Sequence, residues 1–119
     1  MKVVVTDEFE AWFGGLGERD QDAATRLVDL LEQNGVKLGF PYSSAIKGSK
    51  HPLRELRKKG RPLRLIYAFD PKRDAVMLVG GDKTGDDRFY DVMVPFAERL
   101  WEQYLAEQAA GCHDDEEKG

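Results

Sequence analysis

The spacing of apolar positions changes several times along the chain, and each change marks an element. Val3-Val4-Val5 is a β-branched run cut short by Thr6-Asp7, which predicts a first strand. Asp7 followed three residues later by Glu10 suggests a capping box, opening a short helix that carries Phe9, Trp12, Phe13 and Leu16. Gly14, Gly15 and Gly17 weaken that helix and end it. From about Glu18, Ala24, Leu27, Val28 and Leu31 fall at i, i+3, i+4 and i+7 and predict a longer amphipathic helix, stopped by Gly35.

Between Val36 and Pro52 the residues Gly39, Pro41, Ser43, Ser44, Gly48 and Ser49 read as loop. A meander follows. Leu53 to Lys59 is its first strand, and Gly60-Arg61-Pro62 turns the chain. Leu63 to Asp70 alternates Leu63, Leu65, Tyr67 and Phe69 against Arg64, Ile66, Ala68 and Asp70. Ala75 to Val79 is apolar on both faces, as an interior strand should be, with Gly80-Gly81 as its expected end. Met93, Ala97, Leu100, Trp101, Tyr104 and Leu105 then recur at helical steps, with a short turn from about Asp87 and a regular helix from Pro95. The sum is an α+β fold: a small, mainly antiparallel sheet of about four strands, two N-terminal helices and a C-terminal helix, with the helices on one face.

At 119 residues the chain has room for one domain. Its apolar runs are no longer than Ala75 to Val79, far below the roughly 18 residues of a membrane span, and Met1 to Val5 is too short for a signal peptide. Cys112 is the single cysteine and cannot close an internal disulfide, so a reducing cytoplasm is the expected compartment. The net charge of -4 hides a segregation. Between Lys47 and Arg73 stand ten basic residues against Glu55 and Asp70, a local +8, so the remainder carries -12. Part of that remainder is the acidic segment 111–119, expected to be a disordered tail outside a domain spanning 1–110.

Arg54, Arg57, Lys58 and Lys59 on one strand, Arg64 on the next and Lys83 after the last are expected to converge, since paired strands lie about 5 Å apart. Converging cations with few acids among them suit phosphate. Gly80 to Gly85 superficially suggests a phosphate loop, but Asp82 stands where Gly must precede Lys83. His51, beside the basic stretch, titrates near neutrality and is a candidate acid or base. No His/Cys/Asp cluster has ligand spacing, so no metal or other cofactor is expected.

Ser44-x-Ile46-Lys47-Gly48-Ser49, Leu53-Arg54-Glu55-Leu56-Arg57, Leu63 to Asp70 and Leu78 to Gly85, followed by Phe89-Tyr90 and a long helix, resemble in order the HigB branch of the RelE/ParE toxin superfamily. The resemblance runs from about Phe9 to Leu105. It implies a RelE-like fold and a ribosome-dependent mRNA endonuclease of a type II toxin–antitoxin system. The implied partners are a helix-turn-helix antitoxin of the HigA type, in a complex of two toxins and two antitoxins, together with the ribosome and mRNA; no membrane is involved. By this resemblance Arg64 matches the strand arginine at the scissile phosphate, Lys83 the basic residue after the last strand, and Arg57 joins them as catalytic. Tyr90 matches an aromatic that stacks on a base, and Arg54, Lys58 and Lys47 are expected to bind substrate. Glu55 and His51 are the candidate general bases, with Glu55 more simply an arginine's ion-pair partner. A gyrase inhibitor of the ParE type shares the fold, and a degenerate toxin that only binds its antitoxin is a third reading.

Overall fold

The computed structural model describes residues 1–85 and 88–118, with side chains through Ala110. Five strands form one sheet: β1 (Val3–Val5), β2 (Ser43–Ala45), β3 (Arg54–Arg57), β4 (Leu63–Phe69) and β5 (Ala75–Asp82), in the order β1-β5-β4-β3-β2. The β2 to β5 meander is antiparallel, and β1 lies parallel to β5 with Val3 opposite Ala75. Helices α1 (Asp7–Gly14) and α2 (Glu18–Asn34) connect β1 to the meander, and α3 (Phe89–Lys118) ends the fold. The α+β class, the mainly antiparallel sheet and the three helices agree with the sequence.

The helices do not share a face. Phe9, Ala24, Leu27 and Leu31 of α1 and α2 pack on Leu56, Leu65, Tyr67 and Met77, while Ala97, Leu100 and Trp101 of α3 pack on Ile66, Ala68, Val76 and Leu78. This corrects the one-faced sandwich. Residues 65–68 of β4 are all fully buried, so a layer must cover each side of that strand.

Local corrections have equally local causes. The cap of α1 is Thr6, whose Oγ1 accepts from the Phe9 amide at 3.0 Å and donates to the Leu78 carbonyl at 2.6 Å. One hydroxyl thus closes the helix and ties it to the sheet. Ser43 to Ala45, expected as loop, forms edge strand β2, whose inward Ser43 hydroxyl bonds the Tyr67 hydroxyl across the sheet. Strand β5 does not stop at Gly80-Gly81. A Cβ at Gly80 would stand 2.3 Å from the Trp12 ring and one at Gly81 2.8 Å from Phe89, so both glycines are there to admit an aromatic ring from either face. Helix α3 runs from Phe89 through Pro95 without restarting, and Asp87, where the expected short turn begins, lies outside the described residues. Its backbone continues to Lys118; the side chains at 111–119, on which the acidic-tail expectation falls, lie outside the described residues.

Between Ile66 and Tyr67 the β4–β5 register slips, leaving Leu78 without a partner, and both Leu78 and Val79 then join the α3 layer. After this bulge the alternation resumes, with Gly80 toward α1 and Gly81 toward α3. Among the described residues no helix is long and apolar enough to cross a membrane.

Candidate functional site

The α3 face of β3 and β4 carries Glu55 opposite Ile66 and Arg57 opposite Arg64. Two arginines directly across an antiparallel pair repel each other, an arrangement tolerated where an anion is to be bound. Arg64 is drawn back along its own strand: its Nη1 donates to the Arg61 carbonyl at 2.8 Å and the Leu63 carbonyl at 2.9 Å. Its Nε stands 3.5 Å from Glu55 Oε1, an ion pair whose side chains are only 15% and 5% exposed. That Nε is buried without a hydrogen bond, so the pair is loosely closed.

Gly81 faces Arg64 across β4 and β5, and the space it leaves is filled by the Phe89 ring. Seating Phe89 fixes the start of α3, which sets the next residue, Tyr90, over the ion pair. The Tyr90 hydroxyl donates to Glu55 Oε1 at 2.8 Å, and Lys83 Nζ rests 4.8 Å from the centre of its ring. Burial pushes the Tyr90 hydroxyl above its ordinary pKa, and the bond to Glu55 adds to this, with the Arg64 charge acting in the opposite sense. Tyr90 is therefore a neutral donor at physiological pH. Phe89 itself is buried, its ring edge-on to that of Tyr90.

Arg64, Lys83, Arg57, Glu55 and Tyr90 thus share one end of the sheet. Lys58 belongs to the same end, where it lines an open cleft of about 580 Å³ with Arg57, Arg64 and the loop at Phe40 and Pro41. The other proposed contacts do not converge here. Arg54 points to the opposite face, its Nε 3.1 Å from Ser43 Oγ and 3.4 Å from the Tyr67 hydroxyl. The strand's own alternation carries this signal, since Arg54 and Leu56 must face away from Glu55 and Arg57. His51 sits at the far end of β3, its Nε2 2.7 Å from Glu102, twelve residues along α3 from Tyr90 and hence about 18 Å along the axis. Lys47 follows β2 at that far end as well. Among the described residues no three His, Cys, Asp or Glu side chains gather as a metal site.

A five-stranded, mainly antiparallel sheet clasped between α1–α2 and α3 is the fold of the RelE toxins. The isolated RelE toxin of Escherichia coli superposes with a TM-score of 0.55 at 12% identity, over 77% of this chain and 94% of that one. The toxin–antitoxin complex RelBE2 of Mycobacterium tuberculosis gives a TM-score of 0.56 at 17% identity, over 68% and 95%. The family model "Phage derived protein Gp49-like (DUF891)" matches residues 11–102. A Mycobacterium tuberculosis protein named "Putative toxin HigB3" is 38% identical over 113 residues, covering 93% of this chain and 99% of that protein. A second from the same organism, "Putative toxin HigB2", is 33% identical over 85% of this chain, which spans 53% of its length. The chain belongs to the Gp49-like family, as a HigB-like toxin of the RelE/ParE superfamily and so the toxin of a type II toxin–antitoxin system.

Proposed function

We propose that the chain is a ribosome-dependent mRNA endonuclease that arrests translation. The observation that carries this reading is the cluster Arg64, Lys83, Arg57, Glu55 and Tyr90, with cations from two strands and a loop around one neutral phenol. In the proposed reaction the 2′-OH attacks the adjacent phosphorus, the P–O5′ bond breaks, and a 2′,3′-cyclic phosphate and a 5′-OH are formed. Such a displacement needs the phosphate held in line and the growing charge on its oxygens met by fixed donors, each worth about 3 kcal/mol. Arg64 and Arg57 take the phosphate oxygens, and Lys83 faces the leaving oxygen. Glu55 orients Arg64 and Tyr90 rather than binding substrate, which agrees with its burial at 4% exposure. The net charge of -4 leaves free RNA poorly attracted overall, so the ribosome supplies the message and the toxin only a local cationic face. Antitoxins accompany the RelE fold in the RelBE2 complex and in the RelE–RelB complex of Pyrococcus horikoshii. For this chain we take the partner to be of the HigA helix-turn-helix type, paired two to two in the cytoplasm.

Expression without antitoxin, with mapping of mRNA 5′ ends, tests the reading. Lys83→Ala is expected to abolish growth arrest and all new 5′ ends while the protein still folds, because among the described residues the Lys83 amine rests only on the face of Tyr90. Arg64→Ala should do the same, made beside Glu55→Gln so that no buried carboxylate is stranded. Arrest with DNA damage and intact messages would assign the chain to gyrase instead. Arrest that survives both substitutions would remove the cluster from the mechanism.

A further inference from the structure

The loop before β2 presents Phe40 with 83% of its surface exposed, the most exposed large apolar side chain among the described residues. It stands at the mouth of the cationic cleft, outside the cluster described above. The Arg57 guanidinium lies 5.6 Å from the centre of its ring, and Arg57 Nε donates to the Pro41 carbonyl at 3.4 Å, so the loop is fastened to β3 by the same arginine that faces Arg64. Arg61 of the cleft is committed to Asp20 and Arg64 to Glu55. Among the described residues no carboxylate stands in ion-pair range of Arg57, Lys58 or Lys59.

We propose that Phe40, with Lys58 and Lys59, forms a second nucleobase subsite, which stacks one unpaired base of single-stranded RNA on the ring that Arg57 holds and binds the flanking phosphates with Lys58 and Lys59. Aromatic faces interleaved with cations are how proteins hold single strands without reading their sequence. A protein partner fits less well, because an aromatic anchor in a protein interface is ringed by surfaces that exclude water, whereas here the ring lies against the Arg57 guanidinium and opens on a cleft that Lys58 and Lys59 also line. Cation–π contact with Arg57 holds the ring while leaving most of it accessible. The inference rests on the reading of this end of the sheet as an RNA site and extends it: Tyr90 serves the base at the scissile phosphate and Phe40 a base further along the strand.

The experiment uses the purified full-length toxin at low salt, where the local cationic face holds free RNA despite the net charge, and a short fluorescein-labelled RNA, 2′-O-methylated throughout so that it cannot be cut, read by anisotropy. Phe40→Ala should weaken binding about tenfold to a hundredfold, and Phe40→Trp should retain it. Removing one base from the RNA should weaken wild-type binding by a similar factor at a single position and leave Phe40→Ala indifferent there. Lys58→Ala and Lys59→Ala should each lower the slope of log affinity against log salt by about 0.7. Phe40 is solvent-exposed, so an unchanged thermal midpoint checks that the substitution leaves the fold intact. Equal RNA binding by wild type and Phe40→Ala overturns the subsite, while cut messages in the 5′-end mapping would still uphold the nuclease. Phe40-dependent binding by a toxin that leaves messages whole would uphold the subsite and remove the nuclease. Loss of antitoxin affinity in Phe40→Ala, with RNA binding unchanged, gives the patch to the antitoxin and also overturns the proposal.

Discussion

Individual side chains in this protein are placed by hydrogen bonds to partners distant in sequence, and tyrosines recur in that role. Tyr104 on α3 donates to Asp70 Oδ2 at 3.1 Å at the end of β4, and burial, together with that carboxylate, pushes its hydroxyl up to about 12. A hydroxyl that binds its proton more tightly folded than unfolded contributes stability that is complete below about pH 10 and is lost as pH rises toward 12. The urea midpoint should therefore fall between those values, and Tyr104→Phe should flatten the fall; an unchanged slope would detach Tyr104 from it. Site residues were legible unevenly for a related reason. That Arg64, Lys83 and Arg57 come together at one end of the sheet could be read from the sequence because charge density survives in one dimension, and the Glu55–Arg64 contact agrees with the reading of Glu55 as an ion-pair partner. Arg54 faces away because the two-residue period of β3 turns it to Ser43 and Tyr67, which charge density along the chain does not reveal. His51 lay near the basic stretch in sequence, but β3 carries the chain away from it. Phe40, in a loop that it shares with Pro41 and Tyr42, carries no periodic signal at all.

Among the elements, β5 governs the others, because both helical layers rest on it and it carries two glycines that each admit a ring. Gly80→Ala forces the Trp12 ring off the sheet and should cost about 2 kcal/mol in urea unfolding. Gly14→Ala, at a helical position with nothing within 4 Å, should instead stabilise by about 0.5 kcal/mol. If the two substitutions have the same sign, close ring approach does not explain the glycines. Their appearance in sequence is that of a strand end, since glycine is a poor strand former; only the ring above each shows why the strand continues. The three residues of β2 escaped for the converse reason. An edge strand made of Ser43-Ser44-Ala45 has no apolar alternation to reveal it, and only its register with Arg54 to Leu56 defines it. By contrast α2 was legible because its burial follows its residue pattern, and Gly35 ends it with a φ of +59° as a glycine stop should.

For the whole molecule, charge and fold divide along the same line. Acids fill the first turns of α1 and α2, whereas the cations gather at the β3–β4 end of the sheet. The packing of α3 on the sheet reaches Leu105. Removing Gly111 to Gly119 therefore discards a net -3 and should leave growth arrest intact. Arrest that disappears with those residues would assign them a part in activity. The parallel pairing of β1 with β5 has a kinetic consequence. Val3 meets Ala75 across 72 residues of chain, while every pairing within the meander is local. Loop-closure entropy makes such a contact slow to form, so hairpins β2 to β5 can assemble first and β1 docks after them. On the ribosome, the first strand to be synthesised must wait for the last, and the finished toxin sheet can arise only once β5 has emerged from the exit tunnel.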